Sequence, residues 1–499
     1  MVIPVVTRTR SGVAFSLALG GSALSTAASA WALAEVLANG SIRYDLGGWA
    51  PPVGIQYVVD EVSAFVALVV TSVATLVIAA TRRWAEREAG DRAGPFYALV
   101  MLLLAGLGGM VVTADLFNLF VFLEISSLAA YTLVFLGGRA GMLAGFRYLV
   151  LGSIGGAFYL LGVGFLYFST GTLNMEETAA ILAASQSSRS VQAGAVFIFV
   201  GLGLKMALVP LHLWLPDAYT HAPSSVNSLL APIMTKVGAY AMVRMFLSVF
   251  PDGYLKDEAL VADGLLVLGL VGIVFGSVAA IRQSDIRRML AYSSIGQLGL
   301  IAVGIGLATP LGLVAALLHV MNHAVMKGTL FLAAASVRLS TGLSSVNGLT
   351  GLGRAMPLTM ACFTLGALSM VGIPPMAGFF SKWWAAQAGV EAGQWVVVAV
   401  VLGSSLLTAV YVFIVLERVY LRPAQPAEGH EASNETGKPV DETGDAPDAT
   451  GERMPAHVRV ASESPVDVVL PLAVLALATV VLGVANSFIV THVLEPGVR

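Results

Sequence analysis

The chain has 499 residues, of which 57% are hydrophobic and 11% charged, with a mean hydropathy of +0.83. A soluble domain carries about 25% charged residues, so this composition excludes an ordinary soluble protein and indicates a membrane protein. The net charge of −3 gives no sign of a nucleic-acid partner, and the single cysteine, Cys362, excludes disulfides, a CxxC pair and a cysteine-held iron–sulfur cluster within the chain.

Apolar stretches near the ~20 residues needed to cross a bilayer fall at 12–37, 57–80, 95–113, 115–137, 145–169, 193–214, 225–249, 261–281, 288–307, 310–337, 356–390, 395–420 and 466–490. The expectation is an all-α polytopic membrane protein with thirteen transmembrane helices. The opening MVIPVVTRTR leads into an apolar run too long for a signal-peptide h-region, so it reads as the first span. No G-x-G-x-x-G or P-loop spacing occurs, and no nucleotide or redox cofactor is expected. Loop arginines and lysines set the orientation. With a cytoplasmic N-terminus, eighteen of the 27 basic residues fall on the cytoplasmic side, from Arg8 and Arg10 through Arg82, Arg139, Arg147, Arg282 and Arg354 to the segment Arg418–Arg459. Only Arg43, Arg189, Lys256 and Arg499 fall opposite.

Along the chain, residues 1–94 supply N-terminal helices. The fourth span, DLFNLFVFLEISSLAAYTLVF, carries Glu124 about halfway across, by a rise of ~1.5 Å per residue. The sixth reads GLGLKMALVPLHLWLPDAYTHAP; Pro210 and Pro216 follow Lys205, and a proline removes a backbone donor and opens the helix. His212 and His221 flank that break as a candidate entrance. Lys236, in the seventh span, shares the depth of Glu124 and Lys205; Arg244 lies two turns further on, at the outer end of a path or snorkelling to the surface. In the tenth span, LLHVMNHAVMKGTLFL puts His319, His323 and Lys327 on one helical face at i, i+4, i+8. No nearby carboxylate or cysteine completes a metal site, so a proton relay is the preferred reading, imidazole titrating near pH ~6.5. The eleventh span, ALSMVGIPPMAGFFSKWW, breaks at Pro374 and Pro375 before Lys382. Broken helices in corresponding positions point to an inverted-repeat transporter. Five-helix repeats over 95–249 and 261–420 are expected, followed by a disordered cytoplasmic linker at 421–465 and a C-terminal helix within 466–499.

Only six lysines occur, and four of them, Lys205, Lys236, Lys327 and Lys382, lie at membrane depth. A lysine there costs at least ~2.5–3.5 kcal/mol on insertion scales, so such residues mark polar pathways. Burial disfavours a charged lysine and a neighbouring carboxylate favours it, so a lysine that gains and loses such a neighbour can release and recapture a proton. Arginine, with a pKa above ~12, cannot.

These motifs, LFNLFVFLEISSLAAY, KMALVPLHLWLPDAYTHAP, PIMTKVGAYAMVR, SDIRRMLAYSSIGQLG, NHAVMKGTLF and GIPPMAGFFSKW, together make the chain resemble the antiporter-like membrane subunits shared by Mrp-type cation/proton antiporters and respiratory complex I. The similarity runs from about residue 50 to 420. It implies that Glu124 and Lys205 form the ion pair of the first half, with Lys236 as the connecting lysine. His323 and Lys327 look like the central relay, and Lys382 the terminal lysine. The length and the segment TGTLNMEE are similar to the Mrp D type. The resemblance further implies a proton-translocating subunit of a multisubunit sodium/proton antiporter in the cell inner membrane, without its own cofactor, metal or enzymatic reaction, and surrounded by other membrane subunits and lipid. The alternative is a pumping subunit of a redox complex of NADH:quinone oxidoreductase or membrane-bound hydrogenase type. Family members usually have fourteen helices, so the first of them is expected to be missing.

Overall fold

A computed structural model of the protein describes residues 11–185, 188–422 and 461–498. The chain folds into helices α1 (Ser11–Asn39), α2 (Glu61–Ala89), α3 (Ala93–Val112), α4 (Leu116–Phe135), α5 (Gly138–Thr170), α6 (Met175–Ala184), α7 (Arg189–Lys205) and α8 (Trp214–His221). These are followed by α9 (Ser224–Ser248), α10 (Val261–Ile281), α11 (Ile286–Gly306), α12 (Pro310–Thr341), α13 (Pro357–Val371), α14 (Ala377–Glu391), α15 (Trp395–Leu416) and α16 (Val466–Val484). Among the described residues, ten helical stretches are long and apolar enough to span a bilayer, and one of them, the 52-residue Glu61–Val112, holds both α2 and α3. The pairs α7/α8 and α13/α14 are each a span divided by a break. The helices follow one another, among the described residues, in the order expected from the sequence. Helices satisfy their own backbone groups, which hydrocarbon requires.

The structure corrects several details. Arg139 and Arg147, read above as loop residues, lie in the opening turns of α5. The all-α membrane fold also carries a feature not expected from the sequence: Ile42–Asp45 and Gln56–Val59 pair as an antiparallel ribbon, β1–β2, with Ile42 opposite Val59 and Asp45 opposite Gln56. Its strands are four residues each, too short for a clear alternation to stand out in sequence. Most of the linker expected at 421–465 and the basic N-terminal decapeptide lie outside the described residues.

Small residues bring the helices together, as packing within lipid favours. A Cβ on Gly276 would come 2.4 Å from the Gly296 nitrogen, and one on Gly106 would come 2.7 Å from that of Ser126, so α10 touches α11 as α3 touches α4. The turns before α4 and α11 are also built alike. Leu116 N–H donates to the Leu173 carbonyl and Met175 N–H to that of Ala114; Ile286 N–H donates to Ser344 and Val346 N–H to Ser284. In each case an aspartate, Asp115 or Asp285, caps the new helix. By chain order the first turn lies on the face opposite the arginine-rich loops and the second lies on the arginine-rich face.

Candidate functional site

The breaks leave backbone groups open, and polar side chains close them. Trp214 Nε1–H donates to the Leu204 carbonyl at 2.9 Å across the first break. At the second, Asn322 on α12 donates to the Ala377 carbonyl at 2.7 Å, and Lys382 Nζ donates to the carbonyls of Met370 and Val371 at 3.1 and 3.0 Å. Lys382 therefore sits on the carbonyl end of α13, where the helix dipole favours a cation; Ser405 accepts its third hydrogen bond at 3.1 Å.

Lys205 ends α7 at the first break. Its ammonium lies 3.2 Å from Glu124 Oε1 and donates to Ser127 Oγ at 2.8 Å and Tyr131 OH at 3.3 Å. Ser127 and Tyr131 escaped the sequence reading, although their spacing from Glu124, i+3 and i+7, puts all three on one stripe of α4. Glycines make the pocket: a Cβ on Gly156 would meet Glu124 Oε1 at 2.2 Å, and one on Gly152 would meet Tyr131 OH at 1.7 Å. The lysine is 6% exposed and the glutamate 24%, so the pair opens toward one flank of the molecule on the carboxylate side.

Lys236 is wholly buried in α9 and donates to the Ala231 carbonyl beside Pro232. Its helix packs on α12, which carries His319, His323 and Lys327. The Lys327 ammonium donates to the Leu290 carbonyl at 2.9 Å and to Ser293 Oγ. His319 and His323 stack with ring centroids 5.7 Å apart, and His319 Nδ1 bonds Ser381 Oγ at 2.8 Å, the residue before Lys382. Neither ring nitrogen of His323 has a protein partner, nor do His319 Nε2, Gln297 Oε1 and Asn322 Oδ1. Buried polar groups of this kind are completed by water.

The structure joins Glu124 to Lys205 and His319 to His323 and, through Ser381, to the helix of Lys382; Lys236 and Lys327 are buried with partners of their own. It does not bring the other three candidates into these groups. His212 packs edge-on against Phe275 in a lateral cavity, and His221 closes α8 about 10 Å further along by helical rise. Arg244 neither snorkels nor stands alone. Its guanidinium forms two hydrogen bonds to Asp60, at 2.6 and 2.9 Å, and two to Tyr240 OH, at 3.1 and 2.7 Å. Tyr240 stands between Arg244 and Lys236 on the same face of α9 and donates to the Val111 carbonyl at 2.7 Å. Asp60, the N-cap of α2, was missed because a loop acid next to a span carries no signal of its own. Burial pushes the Asp60 carboxyl up, but the Arg244 guanidinium and the Ser63 amide and hydroxyl outweigh it and hold the group below the usual carboxylate range.

A carboxylate held low in the folded state stabilises above its unfolded pKa of ~3.9, and that contribution fades only as pH falls through the lower folded value. Asp60→Asn is therefore expected to destabilise by about 3 kcal/mol, the low end for breaking a buried pair, because Asp60 is 21% exposed. The deficit in thermal unfolding of the purified protein should be constant between about pH 5 and 8. A deficit that vanished within that window would contradict the pairing.

Residues 113–408 match the family model described as NADH:quinone oxidoreductase/Mrp antiporter, TM. The chain is 44% identical to an NADH-quinone oxidoreductase subunit N of Desulforudis audaxviator, over 94% of this chain and 90% of that protein. It is 30% identical to the D-type subunit of the Na(+)/H(+) antiporter of Bacillus subtilis, over 77% of each. Among solved structures, a chain of the Mrp complex from Dietzia superposes with a TM-score of 0.86 at 26% identity, covering 100% of this chain and 94% of that one.

Proposed function

Since this chain belongs to the NADH:quinone oxidoreductase/Mrp antiporter transmembrane family, we propose that it is the D-type, proton-translocating subunit of a multisubunit sodium/proton antiporter of the cytoplasmic membrane. The observation that carries the proposal is the Glu124–Lys205 ion pair at 3.2 Å beside the first helix break, and the path is read onward through Lys236, His323 and Lys327 to Lys382. Lys205 and Lys382 stand at the two helix breaks, Glu124 faces the first of them from mid-α4, and Lys236, His323 and Lys327 lie on the packed helices α9 and α12. Protons move along this path as the Glu124–Lys205 pair opens and closes, since a lysine stripped of its carboxylate in a buried site gives up its proton more readily. The unpartnered imidazole of His323 links the halves through water. The cation route lies in partner subunits, and inward protons drive cation export.

The matching turns before α4 and α11, together with the two breaks, support two inverted five-helix repeats at 95–249 and 261–420. Residues 1–94 and 466–499 flank them, with the N-terminus and the linker on the cytoplasmic side. A second reading is supported by the 44% identity to a subunit N: a pumping subunit of a redox complex in which partner proteins transfer electrons. One experiment separates the two. The native complex is purified, its subunits identified, and a preset pH gradient followed in vesicles. An antiporter subunit lets added sodium or potassium collapse the gradient with no electron donor present. A redox pump builds a gradient only when a donor is supplied.

A further inference from the structure

We propose that the flank where the two halves meet binds an anionic phospholipid, with its phosphate on Arg147, Arg282 and Arg288 and an acyl chain lying along α10. Two cavities lie side by side there and share Tyr292 as a wall. One, of about 530 Å³, is lined by Arg147 of α5, His212, Asp217 of α8 and Arg288 of α11. The other, of about 890 Å³, is an apolar groove over Leu270, Val271, Val274, Phe275 and Val278, with Arg282 and Gln283 at its end. Phe275 joins them, its ring 4.8 Å from that of His212 and 6.4 Å from that of Tyr292.

Charge selects the occupant. Asp217 is shared by Arg147 at 2.8 Å and Arg288 at 3.5 Å, and Arg282 is exposed with no ion pair among the described residues. Two guanidinium groups thus share one carboxylate, and a third, unpaired, stands at the end of the adjoining groove. A neighbouring apolar helix would leave the surplus charge unpaired at the edge of the hydrocarbon, whereas a phosphate accepts the paired N–H groups of arginine. His212 lines the headgroup cavity with its ring packed on Phe275. The groove length fits one leaflet. From Arg282 to Leu270 the helix rises about 18 Å, against about 15 Å for half the hydrocarbon core.

The test uses the native complex in vesicles containing a trace of phospholipid with a photoactivatable acyl chain, either phosphatidylglycerol or phosphatidylcholine. Mass spectrometry then locates the labelled peptides. The expected result is labelling of α10 between Leu270 and Val278 about fivefold or more stronger with the anionic probe. In Arg282→Gln/Arg288→Gln the ratio should fall toward one, and Val274→Trp, which fills the groove and leaves the arginines intact, should lower labelling by both probes. Equal labelling of the native complex marks ordinary boundary lipid and overturns the proposal. So does an absence of labelling, which marks a neighbouring subunit seated on the groove, or a ratio indifferent to the arginine exchange. The headgroup comparison on the native complex requires no variant to fold.

Discussion

Exchange of Lys205 for arginine is expected to stop proton transfer while leaving the chain folded and assembled. Arginine keeps the positive charge, so Glu124 at 3.2 Å, Ser127 at 2.8 Å and Tyr131 at 3.3 Å all retain a donor. What changes is the readiness to release a proton. The reference pKa rises from ~10.4 to at least ~12.5, so in the same surroundings the neutral form becomes at least ~100-fold rarer. If Lys205 must pass through its neutral state in each cycle, sodium-driven decay of a pH gradient should slow by about that factor. Lys205→Ala is a less informative change. It also stops transport, but it strands a carboxylate that is only partly exposed, and removing one partner of a buried pair can cost ~3–5 kcal/mol. Loss of assembly would then imitate loss of transfer. An arginine variant that keeps more than a tenth of the native rate would show that the proton passes Lys205 without residing on it.

The same residues show why part of this site was legible in sequence. Insertion cost makes a lysine at membrane depth conspicuous, and a proline within an apolar run marks a break, so Lys205, Lys236, Lys327, Lys382 and both breaks could be read from the chain alone. Glu124 stood out because no other carboxylate lies so deep. Ser127 and Tyr131 did not, because hydroxyls cost little to bury and are common in membrane helices. Their role follows from what faces them, and the signal available was their stripe with Glu124. Asp60 shows a different limit. Its partner Arg244 was visible, but 184 residues separate the two, and nothing local to either residue sets that distance contact. The carbonyl ligands of Lys382 were hidden for a related reason: every residue has a carbonyl, and only the break at 372–376 decides which ones are free. The ribbon β1–β2 was overlooked because two four-residue strands between longer helices carry too little pattern.

Gly156→Ala is the sharpest test of the geometry, because it changes neither charge nor titratable group. The added methyl would fall 2.2 Å from Glu124 Oε1 and 3.1 Å from its Cδ, so the carboxylate has to leave its place beside Lys205. Overpacking of this kind costs ~1–3 kcal/mol in stability. Its effect on transfer should be larger, since a displacement of about 1 Å in a reacting group can cost on the order of 100-fold in rate. Gly164→Ala supplies the control: the same helix, the same added methyl, and nothing within 4 Å of it. That variant should keep native transport and gain up to ~1 kcal/mol from alanine's helix propensity. The two effects can be tied to one group by a double-mutant cycle. In a Glu124→Gln background, where the pair no longer exists, adding Gly156→Ala should remove no further transport. If the losses instead multiply, the methyl acts through packing of α5 on α4. If Gly156→Ala alone transports normally, the working position of the Glu124 carboxylate is not the one beside Lys205. The first outcome is expected, because a glycine at 156 is what leaves room for the carboxylate against α5.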